Sequence, residues 1–319
     1  MAPKKNRKRP LPLAPKPTVM KSRKKARKVT TLFHKLQKER DAALEKKDQK
    51  EISKIDKLLE DMGGREEYQR ASQLSTSFHS TSKWVLGSLA RRGWLYGIPL
   101  DCKTDDTKDK KKRKRRTTRL LEVGAINTEL LDASEEAASS SEGTNKKKKY
   151  NLHVRAIDIH SMEKRIEEID ILKLPYSSPD LEERYDVIVC SMVLNCVTTP
   201  QDRGRMMAKL FHHLRPNGLL FLTIPLFCLV KSAFLTPEIF LEMLGRDGVG
   251  FDVIETKQSP RISFFVCSRP ENEKDRRESI PMKLKKHVVR RKGKKFPNQF
   301  SVVLDDQEVF NPKEEYKSL

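Results

Sequence analysis

Five short apolar runs alternate with amphipathic stretches between residues 119 and 267, and this alternation constrains the chain more than any other feature. The runs lie at 119–125, 150–160, 185–194, 218–225 and 262–267 and contain LLEVGA, NLHVRAIDIH, DVIVCSMVL, LLFLTIP and SFFVC. They are rich in Val, Ile, Leu and Phe, and their near-continuous apolarity is what strands covered on both faces need. Between the third and fourth, Thr199 to Leu214 places Met206, Met207, Leu210, Phe211 and Leu214 on one helical face. Between the fourth and fifth, Pro237 to Leu244 is a second amphipathic stretch. Strand, helix, strand, helix, strand predicts an α/β fold with a doubly wound sheet over residues 117–270.

The rest of the chain has a different character. Of its 319 residues, 36% are hydrophobic and 34% charged, and Lys and Arg exceed Asp and Glu by 22. A typical globular domain is about 45–50% apolar and about 25% charged, so part of this chain is expected to be solvated tail. A basic excess of this size points to a polyanionic partner, because cations that neutralise phosphates release condensed counterions. Residues 1–30 read as a disordered basic arm: the first 28 carry 12 Lys and Arg and no acid, and Pro10, Pro12, Pro15 and Pro17 break any helix. Its clusters KKNRKR and KSRKKARK suggest a nuclear or nucleolar address and nucleic-acid contact. Residues 31–100 read as a helical extension. Leu32, Phe33, Leu36, Ala43, Ile52, Ile55, Leu58, Leu59 and Met62 predict one long helix or a helical hairpin ended by Gly63-Gly64. A second helix is expected from about 66 to 87, with Trp84, Val85, Leu86 and Leu89 packing it onto the next segment of the chain. KDKKKRKRR within 103–119 and the stretch 132–149 are low-complexity and predicted as loops or inserts. Residues 271–319 read as a disordered basic tail, with 300–304 as an edge strand or docking tail.

Several classes are excluded on these grounds. No apolar run reaches 18 residues, so no membrane-spanning helix is expected, and the charged N-terminus lacks the apolar segment of a secretory signal. The five cysteines form no C-x-x-C pair and are odd in number, which argues for reduced thiols and against a zinc site. No metal is expected. His212-His213 reads as a surface pair near a helix end, and Cys190 and Cys196 as buried small hydrophobes.

In an open parallel sheet the ligand lies beyond the carboxyl ends of the strands. The first run ends in Glu122-Val-Gly124-Ala-Ile-Asn127, where Gly124 offers a turn with close backbone approach. The second ends in Asp158, whose carboxylate can accept from the hydroxyls of a ribose. Asp170, followed by apolar residues in EEIDIL, suits the amino group of an adenine. The third run ends near Ser191, which can line the same site, and Asn195. Together these residues predict a nucleoside-containing cofactor. Only one glycine of G-x-G-x-x-G is present, and a dinucleotide pyrophosphate needs the others, which disfavours a nicotinamide oxidoreductase. S-adenosyl-L-methionine carries no phosphate and tolerates their loss. Asn195 either touches the substrate base or caps the next helix. Phe227 is either a stacking platform or a core residue, the latter being the expectation.

EEYQRASQLSTSFHSTSK at 66–83, LLEVGAIN, AIDIHS, EEIDIL, YDVIVCSMVLNCVTTPQDRGRMM and LLFLTIPLFCLVKSAFLT together resemble the fungal family of 25S ribosomal RNA adenine-N1 methyltransferases, over about residues 66–267. The resemblance implies a class I, Rossmann-like, S-adenosylmethionine-dependent enzyme of the nucleolus that acts on one adenine of large-subunit ribosomal RNA or a pre-ribosomal particle. It implies cofactor contacts at Gly124 and Asp158. A monomer is expected. The alternative class is a protein that binds the cofactor without chemistry, as a sensor or a ribosome-assembly factor.

Overall fold

The computed structural model describes residues 22–78, 81–98, 116–139, 150–176, 183–272 and 277–312. The lysine-rich run of 103–119 and the end of the acidic-to-basic stretch at 140–149 fall mostly or wholly outside these residues, as do residues 1–21.

The N-terminal helices form before the sheet begins. Helix α1 (Arg23–Glu45) is capped by the Ser22 hydroxyl, which accepts from Lys25 N at 3.2 Å. The helix therefore starts inside the stretch read as a disordered arm. Past Pro17 no proline interrupts it, and Ala26 is buried against Ala71 of a later helix. A turn with Lys47 at φ +56° leads into α2 (Gln49–Asp61), capped by Asp48. The hairpin closes over Leu36, Ala43, Ile52 and Ile55. Helix α3 (Gly64–Phe78) then returns along α1, and α4 (Ser82–Arg91) comes after it. The single helix expected over 66–87 is thus two. Val85 and Leu89 of α4 are buried against the sheet, so α4 belongs to the sheet's own packing rather than to the extension.

The seven strands among the described residues are β1 (Thr118–Val123), β2 (Leu152–Asp158), β3 (Glu167–Glu168), β4 (Tyr185–Ser191), β5 (Leu214–Pro225), β6 (Asp252–Gln258) and β7 (Ile262–Ser268), in the order β3-β2-β1-β4-β5-β7-β6. The first five are parallel; β7 runs antiparallel to both its neighbours. Helix α5 (Glu129–Ser139) links β1 to β2, α6 (Pro200–His212) links β4 to β5, and α7 (Leu226–Val230) with α8 (Pro237–Leu244) precede β6. One face of the sheet packs on α4 and α5 through Leu120, Val187, Phe221, Leu130 and Leu131. The other packs on α6 and α8 through Leu121, Ile188, Leu222, Met207, Phe211 and Phe240.

Three sequence expectations change here. The stretch 132–149 begins with helix rather than insert: residues to 139 complete α5, because a right-handed crossover between parallel strands needs a helix to cover the sheet. The edge strands β3 and β6 carried no apolar run, since their side chains face mostly solvent. Of the C-terminal residues, the described stretch 277–312 is packed, not a disordered tail. Helices α9 (Met282–Lys285) and α10 (Asp306–Phe310) lie in this segment, and Ile280, Leu284, Phe300, Val302, Leu304 and Val309 enter the main core. Lysines interleaved between these anchors concealed them from a composition reading. Residues 300–304 dock without forming a strand: Val303 N donates to Pro200 O at 3.0 Å and Leu304 N to Leu284 O at 3.1 Å.

At the amino edge of the sheet, buried Asp186 accepts from Arg119 N at 2.8 Å and pairs with Arg116 and Arg215. His213 is also buried there, not on the surface. Desolvation and the neighbouring Lys209 charge push its pKa down to about 3, so it stays neutral.

Candidate functional site

Parallel alignment brings the tips of β1, β2, β4 and β5 to one edge, which is where the sequence candidates gather. Past β1, Gly124 turns at φ +72°, and the amides of Gly124 and Ala125 both donate to Ile157 O, at 2.8 and 3.1 Å. A Cβ at Gly124 would lie 2.2 Å from Val193 Cγ2. The close approach expected of this glycine is thus made first by the loop after β4, and the turn sets where that loop sits. At the tip of β2, Asp158 Oδ1 accepts from His160 N at 2.9 Å, and burial raises the carboxyl's pKa. Ile169 N donates to Asp158 O at 2.8 Å, which holds Asp170 on the adjacent strand tip. Asp170 Oδ1 accepts from Leu172 N at 2.9 Å and caps a short 3₁₀ turn.

Glu122 points toward the α4 and α5 side of β1. Burial, with the nearby charge of Glu129, pushes its pKa up to about 8, and its Oε2 is buried without a hydrogen-bond partner. Ser191 ends β4, and its hydroxyl accepts from Thr81 at 3.0 Å. Beyond Met192, at φ +61°, lies Asn195. Its Nδ2 donates to Cys196 Sγ at 3.4 Å, while its Oδ1 is buried and unpartnered. The helix-capping alternative for Asn195 is removed, because Thr199 caps α6 by accepting from Asp202 N at 3.0 Å. Phe227, expected in the core, is instead 50% exposed on α7.

The sequence reading assigned no role to α3, although EEYQRASQLS lay inside the resemblance. Gln69 of this helix donates to the His160 carbonyl, 91 residues away. Tyr68 stacks on Phe33 at 4.4 Å between ring centres, its hydroxyl shares a hydrogen bond with His34 Nε2 at 3.4 Å, and it lies close to the Cys196 thiol. Arg65 lies near enough to Asp158 for its charge to counter part of the effect of burial on that carboxyl. Helix α3 therefore closes over the β2 tip and the Asn195 loop together.

These thiols are not poised for nucleophilic work. Cys190 is buried as expected, while Cys196 is on an exposed turn with its sulfur directed inward. Burial pushes Cys190 up to about 12 and Cys196 and Cys228 up to about 11, so all three are protonated at neutral pH. Among the described residues, no group of three or more His, Cys, Asp or Glu could hold a metal, and no helix is long and apolar enough to cross a membrane. Two surface concavities, of about 760 and 600 Å³, flank α1 and α6, and none of the six candidate residues lines either.

A Rossmann-type 3-2-1-4-5 order, continued by an antiparallel hairpin and carrying an acid at each of its first two strand tips, is the class I methyltransferase arrangement. The chain belongs to the family described as 25S rRNA (adenine(2142)-N(1))-methyltransferase, Bmt2, which matches residues 53–302. It is similar to the 25S rRNA (adenine(2142)-N(1))-methyltransferase of Saccharomyces cerevisiae (strain ATCC 204508 / S288c), at 28% identity over 114 residues. That stretch is 36% of this chain and 33% of the yeast protein, about a third of its length. Among solved structures it is similar to a SAM-dependent methyltransferase from Methanosarcina mazei (14% identity, 49% of this chain, 95% of that one, TM-score 0.33). It is also similar to the N-methyltransferase NodS from Bradyrhizobium japonicum with S-adenosyl-L-homocysteine (17%, 48%, 79%, 0.30).

Proposed function

We propose that this protein transfers a methyl group from S-adenosylmethionine to N1 of an unpaired adenine in large-subunit ribosomal RNA. The observation that carries the reading is the Asn195 amide: its Oδ1 is buried without a partner on the loop that Gly124 positions. A buried acceptor left unpaired costs about 1–3 kcal/mol, so it is suited to a ligand N–H. The 6-amino group of adenine, next to N1, offers one.

The residues fit the cofactor. Glu122 is a second buried group with an unpartnered oxygen; its raised pKa leaves it protonated in the empty site, and the cationic amino end of S-adenosylmethionine would draw it into the charged form. Asp158 would hold the ribose hydroxyls and Asp170 the adenine amino group, with Gly124 and Ser191 shaping the floor between them. When bound, S-adenosylmethionine supplies an electrophilic methyl on a positively charged sulfur. Adenine N1 carries an in-plane lone pair and no proton at neutral pH, so it needs no general base. What remains for the protein is alignment, which proximity and orientation supply, and presentation of the base outside its stack. Asn195 holds the base edge so that N1 faces the methyl group.

The test is methyl transfer from labelled S-adenosylmethionine to large-subunit RNA by the purified protein, with digestion to nucleosides. N1-methyladenosine is the expected product. In Asn195→Ala, transfer is expected to fall roughly 100-fold, as for a misplaced reactant, with S-adenosylmethionine binding retained. Full activity in that variant would remove Asn195 from the site. Binding without transfer by the unaltered protein would favour a sensor or assembly factor. The reading extends to action in the nucleolus on RNA or a pre-ribosomal particle, supported by the basic KKNRKR and KSRKKARK clusters.

A further inference from the structure

The basic C-terminal stretch is fastened to the rim of the site. After β5, residues 226–236 form the wall beside the Asn195 loop, and the C-terminal segment crosses this wall as a strap. Ser232 bridges Asn298, Ala233 N donates to Asn298 O at 2.9 Å, and the amides of Arg290 and Arg291 donate to Ala233 O at 2.8 and 2.9 Å. The Arg291 guanidinium donates to the carbonyls of Leu229, Ser232 and Leu235 and sits 4.5 Å over the Phe296 ring. Phe234 stacks on His287 at 4.1 Å. Buried Arg203 joins strap to loop, donating to Ser301 O at 2.8 Å and Thr198 O at 3.1 Å.

Between these anchors, residues 283–295 carry eight Lys and Arg and no acid. Four are used internally: Lys283 pairs with Glu242, Lys285 with Asp306, Arg290 donates to Lys283 O, and Arg291 is turned inward. The other four, Lys286, Lys292, Lys294 and Lys295, are exposed and make no ion pair with any described residue. A row of unpaired cations beside one wall is an electrostatic footprint for a polyanion. Phe227 lies on the same wall, two residues past the β5 tip and half exposed; its neighbour Cys228 adjoins both Asn298 and Cys196. An exposed large aromatic on the same wall that the basic strap crosses is the pairing that binds single strands by stacking and backbone contact.

We propose that Lys286, Lys292, Lys294 and Lys295 form a phosphate track for single-stranded RNA leading to the Asn195 loop, and that Phe227 stacks on a base next to the target adenine. The proposal rests on RNA being the substrate.

The experiment uses the full chain and a single-stranded oligoribonucleotide, with affinity measured by fluorescence anisotropy across a potassium chloride series. Replacing the four lysines by glutamine should flatten the slope of log K against log salt by about 3, at roughly 0.7 per contact with a single strand. S-adenosylmethionine binding by calorimetry should not change. Phe227→Ala should weaken binding roughly 5- to 100-fold with the slope unchanged, and Phe227→Trp should restore it. Unaltered slope and affinity in these variants, with the oligoribonucleotide still bound, would overturn the track. So would lysine variants that lose an acidic peptide but not RNA, since they would assign the strap to a protein partner. Failure of the unaltered protein to bind any RNA, with S-adenosylmethionine still bound, would instead overturn the substrate reading itself.

Discussion

Gly124 and Glu122 stand two residues apart at the end of β1 and do different work. Gly124 is fixed by geometry: its φ of +72° is a conformation costly for other residues, and any Cβ meets Val193. Gly124→Ala is therefore expected to lose roughly 1–3 kcal/mol and, by displacing the Val193–Asn195 loop, to weaken cofactor binding. Urea unfolding with calorimetry checks both, and unchanged affinity would show that the loop is not set by this turn. Glu122 is fixed by burial. Its carboxyl rises from an ordinary 4.5 to about 8, so the folded protein holds a proton that the unfolded chain has released. The stability it contributes is full below pH 4.5 and is lost as pH rises toward about 8, beyond which no further loss occurs. Unfolding of the ligand-free protein between pH 5 and 8 should show this decline, and Glu122→Gln should remove it. The places of Glu122, Gly124, Asp158 and Ser191 at strand ends were legible in sequence because strand ends follow from apolar runs. Tyr68 and Arg65 were not, because contacts made by a helix so far back along the chain leave no local periodicity.

At the scale of elements, the central strands were readable and the margins were not. Strands β1, β2, β4, β5 and β7 are buried enough to carry recognisable apolar runs, whereas β6, as an edge, reads DVIETKQ and looks like loop. The crossover α5 was masked by its own composition, since DASEEAAS is small and acidic throughout; Ala133 is buried while Asp132 and Glu135 are exposed. The C-terminal segment shows the same effect on a larger span. Leu284, fully buried, lies between lysines and anchors α9 to the core shared with Val302, Leu304 and Val309. Leu284→Ala is expected to cost roughly 3 kcal/mol, as a surface tail residue would not. A thermal melt decides it: an unchanged midpoint would mean that the segment contributes nothing to the fold.

For the molecule as a whole, a helix from before the sheet and a strap from after it converge on one edge. Helix α3 from the N-terminal extension covers the tips of β2 and β4, and the C-terminal strap lines the wall after β5. A net charge of +22 is thus partly organised rather than diffuse, with its unpaired lysines beside an otherwise acid- and amide-lined edge. The charge excess and the class of sheet were evident from sequence, but composition treats docked and free lysines alike. The central claim is that the orphaned Asn195 acceptor and the strand-tip acids serve N1 methylation of an adenine in ribosomal RNA. The most direct measurement is nucleoside mass spectrometry of large-subunit RNA from cells with this protein, without it, and with Asn195→Ala in its place. The account predicts N1-methyladenosine lost without the protein and strongly reduced in the variant. Unchanged N1-methyladenosine in its absence would contradict it.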